Sequence, residues 1–355
     1  MRNPATARYR RILRWGASAA VLGALALLLS ACSPTPQTTF TPHSDVGQRT
    51  QDVFMLTVWI AVAIGVLIEG ALIVTIVRFR RRRGEPVGAP VGRHGSTPIE
   101  ILWTAIPALV LVFLGILVVP LIFETAAAAP PNAVKVRVIG HQWWWEFRYM
   151  QGNKVLFTTA NELHLPNGRA ADFSITSADV IHSFWIPTMF GKRDAIPNHS
   201  NDIWFTPKNP DPNATVSYPG QCAEFCGPAH SLMYLNAVVE PEAAYDAWVR
   251  HQESKAAPVV ASALVRRGEQ VVTQGSCAGC HTIAGTAAAG RVGPNLTHIG
   301  SRANLSGPQL AANTPANLAR WIHNSSDFKP GSHMPPQNLS KSDLAAAVAY
   351  LESLK

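Results

Sequence analysis

The chain has 355 residues, 47% of them hydrophobic, and a formal net charge of +8; it is long and apolar enough to bury at least two cores. Its basic surplus sits in two clusters: Arg2, Arg8, Arg10, Arg11 and Arg14 at the start, and Arg78, Arg80, Arg81, Arg82, Arg83 and Arg93 in one later segment. The remainder is slightly acidic. That distribution reports membrane topology and excludes nucleic-acid binding.

The arginine-rich start, the apolar run over 17–29 and the tetrapeptide Leu-Ser-Ala-Cys ending at Cys32 read as a signal peptide over residues 1–31. Small residues before a cysteine resemble a bacterial lipobox, which implies cleavage before Cys32 and a lipidated N-terminal segment over 32–50. The alternative is a first membrane helix with an incidental cysteine. Apolar runs over 53–77 and 101–123 are long enough to cross about 30 Å of hydrocarbon at ~1.5 Å per residue, giving transmembrane helices over 51–80 and 99–124. Between them, RFRRRRG opens a loop over 81–98 that the positive-inside rule puts in the cytoplasm. Both outer ends then face outside, as a lipid on Cys32 requires. Glu69, within the first span, reads as a buried contact with a partner subunit before it reads as part of a proton path; Glu100 stands at the cytoplasmic start of the second.

From Ala133 the pattern changes to short alternating segments, among them VKVRVIG, WWWEFRY, ADFSITS and LNAVVEP, separated by Gly, Pro, Asn and Asp. These predict an antiparallel sandwich or small barrel over 132–250. Within it, QCAEFCGPAHSLM places Cys222, Cys226, His230 and Met233 at the spacing Cys-x3-Cys-x3-His-x2-Met. A disulfide between the two cysteines would close a tiny loop and leave the histidine and methionine unexplained, and zinc rarely recruits a thioether. Thiolate, imidazole and thioether together favour copper. A blue-copper sandwich supplies one further histidine from an earlier strand end, which points to His182 in DVIHSFWIP. Met189 competes with Met233 as the thioether but falls outside the motif.

After Pro241 a helix through AAYDAWVRHQ leads to an Ala/Pro/Ser-rich linker over 251–262. A separate domain over 263–355 opens with the helical pattern ALVRRGEQVVTQG and runs into CAGCH. Cys-x-x-Cys-His attaches c-type haem, with Cys277 and Cys280 bonded to the vinyl groups and His281 on the iron; a thioredoxin-like redox pair would need a βαβ setting that is not seen here. Met334, the only methionine after Met233, is the expected sixth ligand, with His333, His323 and His298 as competitors. LSKSDLAAAVAYLESLK closes the domain as a helix capped by Ser342 or Ser340.

Together these segments resemble cytochrome c oxidase subunit II. The resemblance covers about residues 51–241, including STPIEILWTAIP, GHQWWW and GKRDAIP, and is highly specific. It implies a dinuclear CuA centre in which Cys222 and Cys226 bridge, His182 and His230 are terminal, Met233 is a weak ligand and Glu224 supplies a backbone carbonyl. It also implies a magnesium ion on the Glu224 side chain, shared with subunit I. Trp143 matches the aromatic that accepts electrons from cytochrome c, although a core role holds for at least one of Trp143, Trp144 and Trp145; Trp144 replaces the usual Tyr or Phe. Glu100 matches the carboxylate at the mouth of a proton path into subunit I. GPNL, with Pro294, resembles the class I cytochrome c loop whose carbonyl accepts from the proximal imidazole.

The order of parts resembles the caa-type oxidases. The implied fold is multidomain: a two-helix transmembrane hairpin, an all-β cupredoxin-like sandwich and a C-terminal all-α class I cytochrome c. The implied function is to pass electrons from an external donor through one covalently bound haem c and dinuclear copper to subunit I, where dioxygen is reduced to water and protons are pumped. This chain holds no dioxygen-reducing centre. Expected partners are subunits I and III, membrane lipid, and a donor such as a cytochrome c or a quinol–cytochrome c reductase complex. The expected location is a bacterial inner membrane, multi-pass, with both metal domains outside. A CuA-bearing nitric oxide or nitrous oxide reductase component and a tethered electron carrier are the alternatives.

Overall fold

In a computed structural model the described residues are Gly23, 37–80, 95–256, 262–307 and 309–355. The signal peptide (apart from Gly23), Cys32, most of the arginine-rich loop and residues 257–261 of the linker lie outside them. Helix α1, Asp45–Phe79, begins before the apolar run itself because Ser44 caps it: Ser44 Oγ accepts from Gly47 N at 2.9 Å, and Asp45 adds an acid to the first turn. Helix α2, Thr97–Ala126, carries Pro98 in its first turn and Pro107 and Pro120 inside, which membrane helices tolerate. Both are long and apolar enough to cross a membrane, and their side chains are mostly exposed. Arg49 and Glu124 pair near the Asp45 end of α1 and the Ala126 end of α2. Asp45 Oδ1 accepts from Thr206 N at 2.7 Å, and Trp204 Nε1 donates to Ala127 O at 2.8 Å, so both helix ends are fixed to the domain that follows.

That domain holds ten strands: β1 Val134–His141, β2 Trp144–Gln151, β3 Lys154–Ala160, β4 Glu162–Pro166, β5 Ala171–Ser177, β6 His182–Trp185, β7 Arg193–Ala195, β8 Asn201–Phe205, β9 Val216–Cys222 and β10 Tyr234–Glu240. They form two five-stranded sheets, ordered β3-β2-β1-β5-β8 and β4-β10-β9-β6-β7. Alternation places every second residue of β5 inside, from Ala171 to Ser177. The two inner faces meet through Phe184, which packs edge-on against Trp145 and Phe147 of the opposite sheet. Nine of the strands coincide with the alternating segments of the sequence. The exception is β7, whose Arg-Asp-Ala has no apolar alternation and exists by pairing with β6.

Helix α3, Glu242–Gln252, leaves β10 and packs Tyr245 and Trp248 on the sandwich. The C-terminal domain is helical: α4 Ala263–Gln274, α5 Pro315–His323 and α6 Lys341–Ser353 surround a second core that includes Val272, Leu318 and Leu351. Ser262, Thr314 and Ser340 cap the three helices with their side-chain oxygens. Of the two expected caps for α6, Ser340 is the one that accepts from Asp343 N, at 3.1 Å.

Candidate functional site

His182 opens β6 and Cys222 ends β9, and the pairing of these strands brings the two ends together. Residues 223–233 then loop back to β10. Cys222 Sγ and Cys226 Sγ stand 3.8 Å apart; His182 Nδ1 lies 3.9 Å from the first sulfur and His230 Nδ1 3.6 Å from the second. Met233 Sδ is 4.0 Å from Cys226 Sγ, and Glu224 O is 3.3 Å from Cys222 Sγ. The loop thus gathers two sulfurs, two imidazoles, a thioether and a carbonyl, while the Glu224 carboxylate sits on an exposed residue. Met189, the competitor, is buried with its carbonyl under Ser44 Oγ. Among the described residues, His182, Cys222 and Cys226 form the one buried cluster able to hold a metal. Its donors are those that suit copper.

The electrostatics favour one thiolate in this pair of cysteines. A hydrogen bond from Cys226 Sγ holds the Cys222 thiol well below its ordinary value, against burial and with help from His182; the shared proton pushes Cys226 up. Burial pulls His182 down, but its bonds to Asp179 and Cys222 outweigh that and raise it. Asp179 is a residue that sequence reasoning missed. Its Oδ1 accepts from His182 Nε2 at 2.8 Å, which turns Nδ1 toward the sulfurs. It also accepts from Val180 N at 2.6 Å and Gln142 N at 2.7 Å. Burial pushes the Asp179 carboxyl up, yet these three donors hold it below the ordinary range. The signal was a carboxylate three residues before a candidate ligand.

In the helical domain Cys277, Cys280, His281 and Met334 line a cavity of about 490 Å³. His281 Nδ1 donates to Pro294 O at 2.7 Å, so Nε2 is the nitrogen left to face a ligand. A side chain at Gly293 would collide with this ring, its Cβ only 2.6 Å from His281 Cε1, so a glycine is needed there. Burial, the largest effect, holds His281 below its ordinary value and favours the neutral, ligating imidazole. Of the competitors for the opposite side, His333 lines the cavity beside Met334, whereas His323 and His298 are not in its wall. His298 instead bonds to Ser254 O at 3.2 Å. Two thiols, an imidazole with a free Nε2 and a thioether around one apolar cavity fit a c-type haem.

The sandwich closes the far side of this cavity with Trp143, Trp144, Asn161 and Asp179. The three tryptophans separate cleanly. Trp145 is fully buried in the sandwich core, and Trp144 stacks on His141 with ring centres 4.3 Å apart. Trp143 faces the cytochrome domain, 5.0 Å from the His333 ring, and its Nε1 donates to Cys226 O at 3.0 Å. Gly227, at φ +113°, occupies the left-handed region beside that indole, where any Cβ would be strained and 3.0 Å from Trp143 Cζ2. Glu100 lies apart from both centres, exposed in the first turn of α2, and Glu69 is exposed on α1. Two further residues escaped the sequence reading, Lys329 and Glu162, both at the contact between the domains.

Three family profiles match in succession: the transmembrane domain of cytochrome c oxidase subunit II over residues 37–121, its periplasmic domain over 150–240, and cytochrome c over 265–355. Cytochrome c oxidase subunit 2 of Alkalihalophilus pseudofirmus is 32% identical over 341 residues, covering 94% of this chain and 96% of the relative. The subunit 2 of Bacillus sp. PS3 is also 32% identical, over 349 residues with the same coverage. Among solved structures, the periplasmic domain of subunit II of cytochrome oxidase from Bradyrhizobium japonicum is 28% identical, covers 36% of this chain and 97% of its own, and has a TM-score of 0.32. Similarity of this extent along nearly the whole length, with two subunit II profiles followed by a cytochrome c profile, means that the chain belongs to the cytochrome c oxidase subunit II family, as the membrane subunit of a haem-copper oxidase that carries its own cytochrome c domain.

Proposed function

We propose that this subunit accepts electrons at its cytochrome domain and delivers them through its copper centre to subunit I, where dioxygen reduction is coupled to proton pumping. The supporting observation is the position of Trp143, which lines the cavity of Cys277, Cys280 and His281 and is hydrogen-bonded to the carbonyl of Cys226. When bound, the haem would supply a one-electron donor and the copper pair a one-electron acceptor.

The residues divide the work. Cys277 and Cys280 would hold the haem covalently, with His281 and Met334 as its protein ligands. His182, Cys222, Cys226, His230, Met233 and the Glu224 carbonyl would hold two copper ions. The buried Cys222 and Cys226, with His182 fixed by Asp179, would keep the ligands in one arrangement across both charge states. The Glu224 carboxylate is assigned to magnesium at the subunit I face, and Glu100 to the mouth of a proton path.

The domain organisation proposed is a cleaved signal over 1–31, a lipid on Cys32, membrane helices over 51–80 and 99–124 around a cytoplasmic loop, and the two metal domains at 132–250 and 263–355 on the periplasmic side. Subunits I and III and an external cytochrome c or quinol–cytochrome c reductase complex are the partners. Purification from native membranes tests the reading. One preparation should contain a multi-helix haem-copper subunit, a mixed-valence copper EPR signal, a haem c spectrum and oxygen consumption; a preparation active without either metal signal refutes it.

A further inference from the structure

Lys329 is buried, at 4% exposed, although lysine is rarely buried unless paired, and burying an amino group is costly without a partner. Among the described residues no carboxylate pairs with it. Its Nζ instead donates to the backbone carbonyl of Trp143 at 2.7 Å, across the contact between the two metal domains. The residue lies in the loop that runs from the turn Ser325–Asp327 to Met334. Its backbone is fixed by bonds from Lys329 N to Ser325 O at 3.0 Å and from Ser332 N to Lys329 O at 3.0 Å. The same loop lays Gly331 and the His333 ring against the Trp143 indole. Trp143 is therefore held from both sides: its indole by the copper loop and its carbonyl by the cytochrome loop.

We propose that Lys329 is a positioning residue that docks the haem face of the cytochrome domain on Trp143 by donating to its carbonyl, and so sets the rate of electron transfer between the two metal centres. The inference rests on the haem-to-copper route given above. It concerns a bond that neither domain makes alone, because donor and acceptor lie 186 positions apart in the chain. Burial favours the uncharged amine, which still donates. Without the donor the Trp143 carbonyl stays buried and unsatisfied in the docked state, a penalty that shifts a docking equilibrium by about tenfold or more.

The test uses the intact oxidase. Acetylation with an N-hydroxysuccinimide ester, read by peptide mass spectrometry on the unaltered protein, should modify Lys329 about tenfold or more slowly than exposed Lys341, in line with the same equilibrium. Equal rates overturn the proposal. In Lys329→Met, flash reduction of the haem should be followed by copper reduction about tenfold more slowly, while reduction of the haem by an external donor and both metal spectra stay unchanged. An unchanged intramolecular rate overturns the docking role and leaves the route intact; absence of haem-to-copper transfer in the unaltered protein overturns both. If Lys329→Met does not assemble, Lys329→Leu, which likewise lacks a donor, serves in the rate measurement, and the acetylation result stands independently.

Discussion

Asp179→Asn is the substitution that should best separate the copper ligands from the framework around them. The carboxylate presents Oδ1 to His182 Nε2 and Val180 N, and Oδ2 to Gln142 N. Asparagine keeps the shape but has one acceptor oxygen, and its amide NH2 must face a donor. Either His182 loses its orienting partner or the backbone of Gln142, the neighbour of Trp143, is pushed away. Loss of such a partner behind a metal-bound histidine typically costs 10–100-fold in metal affinity, about 1.4–2.8 kcal/mol. Copper should therefore be withdrawn by a competing chelator at about 10–100-fold lower chelator concentration, with altered hyperfine splitting in the EPR spectrum and an unchanged haem c spectrum. Copper affinity and EPR identical to the unaltered protein would refute the assignment of His182 as a ligand oriented by Asp179.

Cys222→Ser or Cys226→Ser should abolish the mixed-valence copper signal and leave the haem c spectrum intact, because the donors sit in separate domains; a retained seven-line hyperfine pattern in either variant refutes bridging. Met334→Ala should lower the haem potential and remove the weak long-wavelength band of a sulfur–iron bond, whereas His333→Ala should keep both; the reverse result moves the ligand to His333. Burial pulls Lys329 from 10.5 down to about 7, so above about pH 7 the folded chain binds fewer protons at this site than the unfolded one. Stability should then rise with pH between about 7 and 10, by at most about 1.4 kcal/mol per unit, and thermal unfolding of the Lys329→Met oxidase should lack that part of the slope.

Legibility in the sequence followed the distance over which each feature is determined. Cys277, Cys280 and His281, and likewise Cys222, Cys226, His230 and Met233, lie in single loops, so their spacing carries the chemistry. His182 was legible only by reference to the later motif, since its place beside Cys222 comes from the pairing of β6 with β9. The strand β7 and Asp179 were not, because a three-residue Arg-Asp-Ala strand and a lone carboxylate take their meaning from neighbours in space. For the tryptophans, alternation along β2 hides Trp145 and leaves Trp144 half-exposed, but it says nothing of Trp143, which precedes the strand. Lys329 could not be found at all from local pattern. Its role exists only where two domains meet.

That meeting is more specific than net charge would make it. Opposite charge on two domains draws them together without fixing their orientation, and a tether sets only how far they can separate. The contact here consists instead of bonds to named backbone atoms: Lys329 Nζ to Trp143 O, and the amides of Ala303 and Asn304 to Glu162 Oε1 at 2.9 and 3.3 Å. Two separate anchor points restrict rotation as well as distance. The first is buried and the second part-buried, and both are direct contacts, so salt screens them far less than it screens charges separated by more than a Debye length. Trp143, 6% exposed, is left in contact with one cytochrome, its own. A soluble donor that approaches this subunit in the docked state meets the helical domain before it can reach the indole, and under the proposed route the haem of this chain would then be a required step on the way to copper.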